Sequence, residues 1–418
     1  MLEPIIIGRE HKDIEKFGTD GTIFLGKAIV GTGFDTHMTN PIRMDVAKPH
    51  AILIAGKRGT GKSYTMAVMA EEMMKLPEAI KKQLSMVLID TMGIFWSMKD
   101  SNDAAHTLLK EWGLEAKGFP SQNVVPIGLK DFYKKHGMAF DATFALKPSE
   151  LTTGDWALTF GISLLEPTGI LMERALNKLK GKDYGIKEII DAIEDDKRAD
   201  AKEKTALQNR FMSAEGWGIF SKEATPIDTF LKPGIATVLD VSNQDWPIRN
   251  LMVGILVRKL YEVRLAARRA EETSAVAGEK GIRKIPLTWV GIDEAHNFLP
   301  SEGETAATGP LLMLLRQGRQ PGIGTIMITQ RPLKLHEDAI AQSDLVIAHR
   351  LTAKPDLDSL GTITQTYALE DIRKMVSWLP KPPGSAVILD DISERLFNCQ
   401  VRPRQSWHAG GTPSVNLK

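Results

Sequence analysis

The chain has one cysteine, Cys399, in 418 residues. A single thiol excludes an internal disulfide framework and any cysteine-rich zinc site. Its nine histidines are scattered, with no pair at metal-ligand spacing such as H-x-x-x-H. Long apolar runs are missing too, and none approaches the roughly 18 residues of a membrane span. The opening "MLEPIIIGREHKDIEKFG" follows a short apolar tract with charges of both signs, unlike a signal peptide. Charge of one sign is absent as well. Lys and Arg number 53 against 52 Asp and Glu, a net +1. That excludes a globally basic nucleic-acid binder and leaves DNA contact to a local patch or a lined channel. These absences lead us to expect a reduced, cytoplasmic protein with no membrane partner.

The composition that is present is ordinary for a folded protein, with 43% hydrophobic and 25% charged residues. The length allows one large domain with insertions or two to three smaller ones. Residues 1–48 read as a short N-terminal β segment ("IIIG", "GTIFLGKAIV", "PIRMDV") that packs on the neighbouring core. From 49 to 375, short apolar runs alternate with helical patterns: "AILIA", "MVLID", "IATVLDV", "LTWVGID", "GTIMIT" and "LVIAHR". This predicts an α/β fold with a mostly parallel sheet buried on both faces. Between about 130 and 232 the period changes to helical, as in Ile186, Ile189, Ile190 and Ile193, and "SELTTGD" offers N-caps before "WALTFGISLL". We read it as a helical insertion. Residues 376–418 form a C-terminal extension with up to two strands and a Gly/Pro-rich end. No internal repeat is evident.

The chemistry starts at "GKRGTGKS". Gly56 to Ser63 fits G-x-x-x-x-G-K-[ST], preceded by a buried strand and followed by a helix with Met66, Met69, Ala70 and Met73 at helical spacing. Glycines let backbone N–H groups converge on phosphate oxygens, and the helix N-terminus adds a favourable dipole. Gly56, Lys57, Arg58, Gly59, Thr60, Gly61, Lys62, Ser63 and the adjoining Tyr64 are the candidate nucleotide contacts. Lys62 can reach the β- and γ-phosphates of ATP, and the Ser63 hydroxyl can hold Mg²⁺. In "LTWVGIDEAHNF", apolar residues carry Asp293 to a strand end, where its carboxylate can serve Mg²⁺. Glu294 follows and can polarise an attacking water. His296 and Asn297 are capping or structural residues as readily as catalytic ones. The stretch "LLRQGRQPGIGTIMITQRP" places Gln330 at the end of a strand neighbouring the acidic one, near the γ-phosphate. Arg319 sits on a Gly-rich turn ahead of that strand and can point into a neighbouring subunit's site as a trans arginine. The competing reading makes Arg316, Arg319 and Arg331 ordinary surface arginines, and for Arg316 that reading is preferred.

Together these residues resemble the HerA/FtsK superfamily of hexameric ATPases, in its HerA-like helicase/translocase branch. "KPHAILIAGKRGTGKSYT", "VGIDEAHNFLP", "LLRQGRQPGIGTIMITQRP" and "AIAQSDLVIAHRL" are similar to its P-loop, acidic, arginine and glutamine blocks, in order. "VRPRQSWHAGGTP" is similar to its C-terminal extension, which wraps onto an adjacent subunit. The resemblance implies a P-loop NTPase of RecA-like fold assembled as a homo-oligomeric ring, usually a hexamer. ATP would lie at the subunit interfaces and duplex DNA in the pore. Lys62, Ser63, Asp293, Glu294 and Gln330 would act in cis, Arg319 in trans, and Arg350 as a further interface contact to the nucleotide. Family members carry a β-barrel ahead of the P-loop that docks a nuclease. Here the 48 residues before the core read as a reduced barrel. Arg264, Arg268, Arg269, Lys280, Arg283 and Lys284, interleaved with Glu262, Glu271, Glu272 and Glu279, read better as a solvated face than as a DNA contact. The expected function is ATP-driven translocation on duplex DNA, in end processing, segregation or defence. The alternatives are a soluble conjugation or secretion motor, or a nucleotide-controlled ring scaffold for an effector such as a nuclease.

Overall fold

A computed structural model describes residues 2–31, 35–278, 285–351, 355, 356, 358 and 369–411. Among these residues, thirteen strands form one sheet. In chain order they are β1 (Ile5–Ile7), β2 (Thr22–Val30), β3 (His37–Asp45), β4 (Ala51–Ala55), β5 (Leu84–Asp90), β6 (Ser121–Pro126) and β7 (Ala142–Phe144). They continue as β8 (Ala236–Asp240), β9 (Leu287–Ile292), β10 (Ile323–Thr329), β11 (Leu345–His349), β12 (Ser385–Asp390) and β13 (Arg395–Val401). Their spatial order is β1-β3-β2-β13-β12-β11-β4-β10-β9-β5-β8-β6-β7. From β11 to β7 every neighbouring pair is parallel. The fold is therefore the expected mostly parallel α/β sheet. β10, which ends just before Gln330, lies between the P-loop strand β4 and the acidic strand β9.

The central strands are mostly apolar because both faces are covered. Every residue of β4, β5 and β10 is buried. Their side chains alternate between two cores, as a strand period of two requires. Leu53, Val87 and Met327 join one core with the helix Trp246–Val276 and the insertion helices. Ile52, Ile54, Leu88 and Ile328 join the other with Met66, Met69 and Met73 of the helix Lys62–Met74. Charged residues at Arg258, Lys259, Glu262, Arg264, Arg268 and Arg269 punctuate the 31-residue helix Trp246–Val276. Among the described residues no helix is long and apolar enough to cross a membrane.

The segment boundaries differ from the sequence-based ones. The N-terminal strands do not close into a barrel of their own. β2 pairs antiparallel with β13, Cys399 opposite Ala28 and Val401 opposite Gly26, so the N-terminal strands extend the main sheet. The hairpin β12–β13 of the extension links β11 to β2 in the same sheet. An edge strand with unpaired N–H and C=O groups is satisfied by another strand, and here the C-terminal hairpin satisfies both sides. The described part of the tail then packs on its own chain. Arg402 and Arg404, both fully buried, pair with Glu71 on the helix Lys62–Met74, and Arg402 also pairs with Glu72. The insertion is helical over Thr153–Phe160, Pro167–Leu179, Ile186–Glu194 and Ala201–Glu215, but also holds the short edge strand β7. Its first helix begins in a capping box. Thr152 Oγ1 accepts from Asp155 N–H at 3.1 Å, and the Asp155 carboxylate accepts from Thr152 N–H at 2.7 Å.

Candidate active site

The P-loop follows β4 directly and turns into the helix Lys62–Met74 at Gly61, whose φ of 111° only glycine adopts freely. A side chain there would also press on the Gly384 backbone, 3.0 Å away. The loop is clamped from the β11–β12 side. Lys57 N–H donates to Arg350 O at 3.0 Å and Gly384 N–H to Thr60 O at 2.9 Å. Behind it, the buried His349 faces Ser385 O through Nδ1 at 3.1 Å and Thr65 Oγ1 through Nε2 at 3.0 Å. Burial pushes its imidazole down to about 4, so the ring is neutral at physiological pH. A carbonyl only accepts, so Nδ1 carries the proton and Nε2 is an acceptor facing the Thr65 hydroxyl, which also donates to Gly61 O at 3.0 Å.

Lys62 is buried and donates Nζ to Lys57 O at 2.9 Å. Burial lowers its pKa, opposed by Glu294 and Asp293 nearby. Asp293, just past β9, is almost wholly buried. Its Oδ1 accepts from Ser63 Oγ at 3.4 Å and its Oδ2 from Thr91 Oγ1 at 3.2 Å. Desolvation raises its pKa, offset by the hydrogen bond from Thr91 and the charge of Lys62. Ser63 and Asp293 thus place two hard oxygen donors side by side, a set that suits Mg²⁺. Glu294 has left-handed backbone, φ 50° and ψ 47°, an uncommon conformation for a residue with a side chain and one that collects at functional sites. The turn sets its carboxyl near Gln330, just past the end of β10, whose amide works to lower the pKa of Glu294. Its Oε2 is buried without a hydrogen bond among the described residues. Desolvation, with the charge of Asp293, pushes this carboxyl up to about 7. A buried carboxyl poised near neutrality, with one oxygen unengaged, is suited to take a proton from water. His296 sits beside it, Nδ1 3.4 Å from Glu294 Oε2 and 3.1 Å from Thr329 Oγ1, and burial pushes it down to about 4.

The structure thus brings Gly56 through Ser63, Asp293, Glu294 and Gln330 to one end of the sheet. Three candidates take other positions. The Tyr64 hydroxyl accepts from Arg404 N–H at 2.5 Å and its ring meets His408 edge-on, so the side chain faces the C-terminal tail. Arg350 approaches the loop by its carbonyl, while its guanidinium donates to Pro380 O at 2.7 Å. Arg319 lies at the opposite end, ahead of β10, half-exposed and paired with Asp344 at 3.1 Å. Arg316 pairs with Asp338 on the surface. The expected solvated face fails at Arg264, which is wholly buried and donates to Pro321 O and Ile285 O. Arg268 does lie on the surface, paired with Glu272. Glu279, Lys280, Arg283 and Lys284 lie outside the described residues. Sequence reasoning missed Thr91, Thr65 and His349. The signal for His349 was a polar ring ending an otherwise apolar strand, and for Thr91 a hydroxyl directly after the strand neighbouring the acidic one.

A phosphate-cradling loop, a buried metal-type oxygen pair and a near-neutral carboxyl at one end of a parallel sheet define a P-loop ATPase. The family described as "Helicase HerA, central domain" matches residues 24–260, and the chain belongs to it. Membership makes it an enzyme of the ATPase/helicase type. The "DNA double-strand break repair helicase HerA" of Sulfurisphaera tokodaii is 22% identical over 406 residues, covering 97% of this chain and 74% of that protein. The protein of the same description from Pyrococcus furiosus is 27% identical over 175 residues, 38% of this chain, and the match spans only 31% of its length. Among solved structures, VirB4 of Thermoanaerobacter pseudethanolicus superposes with a TM-score of 0.59 at 12% identity, covering 92% of this chain and 97% of that one. The bacterial conjugative coupling protein TrwBΔN70 reaches 0.51 at 13% identity, with 88% of each chain covered. Both likenesses concern the fold.

Proposed function

We propose that this chain is the subunit of a cytoplasmic ring ATPase that couples ATP hydrolysis to movement along duplex DNA. Its active site is completed by Arg319 of the adjacent subunit. The observation that carries the reading is the division of the catalytic set. Lys62, Ser63, Asp293, Glu294 and Gln330 meet at one end of the sheet, while Arg319 stands at the other. The similarity to DNA helicases HerA, which in the Sulfurisphaera protein runs along most of this chain, supports DNA as the track. The ring, hexameric in this reading, follows from the need for a second copy at each site.

In this mechanism the P-loop N–H groups and Lys62 hold the triphosphate, and the N-terminal end of the helix dipole favours its charge. Ser63 and Asp293 would hold Mg²⁺, which would supply neutralisation of the phosphate charge. Glu294 accepts the proton of the attacking water, and the Gln330 amide fixes the carboxyl that does so. Arg319, offered by the neighbour, stabilises charge on the transferring phosphoryl group. Thr91 orients the Asp293 carboxylate from behind.

The test is the steady-state ATPase rate with and without linear duplex DNA at low salt, with Glu294→Gln as the blank. Several-fold stimulation by DNA is expected. Real turnover that ignores DNA would overturn the DNA reading and favour a motor of the same fold acting on other cargo, or a ring serving an effector protein.

A further inference from the structure

The turn that carries Arg319 is braced from beneath. Gly322 N–H donates to Arg319 O at 3.1 Å and closes it, at a φ of 89°. The buried Arg264 donates Nε and Nη2 to Pro321 O at 2.9 and 2.7 Å, and Nη1 to Ile285 O at 2.7 Å. The Arg319 guanidinium reaches sideways from this turn. Its Nη2 meets Asp344 Oδ2 at 3.1 Å and Gln342 O at 3.4 Å. Asp344 is itself buried and over-determined. Its Oδ1 accepts from Ala51 N–H at 3.0 Å, its Oδ2 faces His50 Nδ1 at 2.8 Å, and its own N–H donates to Ala51 O at 3.0 Å.

We propose that Asp344 is the positioning residue of the trans arginine, holding one edge of the guanidinium and tying it to the first residue of β4. This inference rests on the reading of Arg319 as a trans arginine. Both contacts use Nη2. Nε and Nη1 have no hydrogen bond among the described residues, and the side chain is 52% exposed. The planar fork is thus fixed along one side and presented along the other, the state in which an arginine loses least freedom on meeting a phosphoryl group. β4 ends at Ala55, next to Gly56, so one wholly buried strand carries this subunit's P-loop at one end and the anchor of its offered arginine at the other.

A merely structural Asp344, stapling β11 to β4, would affect the protein differently, and that difference is the test. In the full chain, with ATP and linear duplex DNA, Asp344→Asn should lower kcat on the order of tenfold to a hundredfold, as for misplaced catalytic groups, with KM for ATP unchanged. Mixing with Lys62→Ala subunits, whose P-loop is dead but whose arginine is intact, should restore activity, as it should for Arg319→Ala. The double variant Arg319→Ala/Asp344→Asn should be no slower than Arg319→Ala alone. Should Asp344→Asn fail to fold, Asp344→Glu keeps the charge, displaces the guanidinium and carries the same comparison. A wild-type kcat, or a loss that adds in full to that of Arg319→Ala, overturns the proposal and leaves the trans reading standing. Wild-type kcat in Arg319→Ala itself overturns the trans reading, and the proposal with it.

Discussion

At the C-terminal ends of β4, β9 and β10 the charged groups are drawn out of water and shifted by it. Lys62 is lowered, Asp293 is raised, and Glu294 is pushed up to about 7. At the N-terminal ends of the same strands, Arg319 is half in solvent and held by a single carboxylate. Seven residues of β10 separate the two ends, about 20 Å at roughly 3.3 Å per residue. No side chain spans that distance. On the proposed reading, one copy carries both halves of a hydrolytic site and cannot bring them together, whereas a second copy placed head to tail can.

Substitutions at the two ends should differ in whether a neighbour can repair them. The largest effect is expected at Arg319→Ala, a loss of about 10³–10⁵ in kcat, the range for trans arginines. Glu294→Gln should cost about 10²–10⁴, as removal of a general base does, and no Arg319 supplied by another copy should restore it. The same carboxyl sets a pH dependence. Raised to about 7, it is protonated and idle below that value, so kcat in the wild type should climb through pH 7 and level off above it. The sign for stability is opposite. A carboxyl with a raised folded pKa binds its proton more tightly when folded, so its contribution weakens as pH rises from the unfolded value near 4.5 to about 7. Thermal melts should accordingly show Glu294→Gln more stable than the wild type at pH 8 and little different at pH 5.

Sites away from both ends sharpen the contrast because they should move stability rather than chemistry. Glu71→Ala takes from the buried Arg404 its carboxylate partner and from Arg402 one of its two, and should cost about 3–5 kcal/mol in denaturant unfolding. It should also release the tail to proteolysis. Thr152→Ala removes an N-cap in the insertion and should cost about 1 kcal/mol, with the ATPase rate per folded molecule unchanged.

The parallel core was legible in the sequence because strands covered on both faces must be mostly apolar, as "AILIA" and the run leading to Asp90 in "MVLID" are. The P-loop was legible because its chemistry fixes spacing. β6 was not, since "SQNVVP" carries buried polar residues. Gln122 finds Thr237 and Thr229 O, and Asn123 finds Ala139 O, all partners outside the strand itself. The joining of residues 1–48 to the ATPase sheet was hidden because backbone pairing between β2 and β13 leaves no side-chain signature. Arg264 looked solvated because acidic residues surround it in sequence, yet carbonyls of two distant turns satisfy its donors and permit its burial. Asp344 was unreadable for the same reason: its partners His50, Ala51 and Arg319 come from other segments. What the sequence offered was the residues of each proposed half of the site, with no indication of how far apart they lie in one copy.

The most direct measurement mixes Lys62→Ala and Arg319→Ala subunits, each inactive alone, and records ATP turnover on linear duplex DNA across mixing ratios. The account predicts that activity appears in the mixture, highest at intermediate ratios, because an intact P-loop from one variant meets an intact arginine from the other. A mixture no more active than its components, with mixed assemblies shown to form, would contradict it.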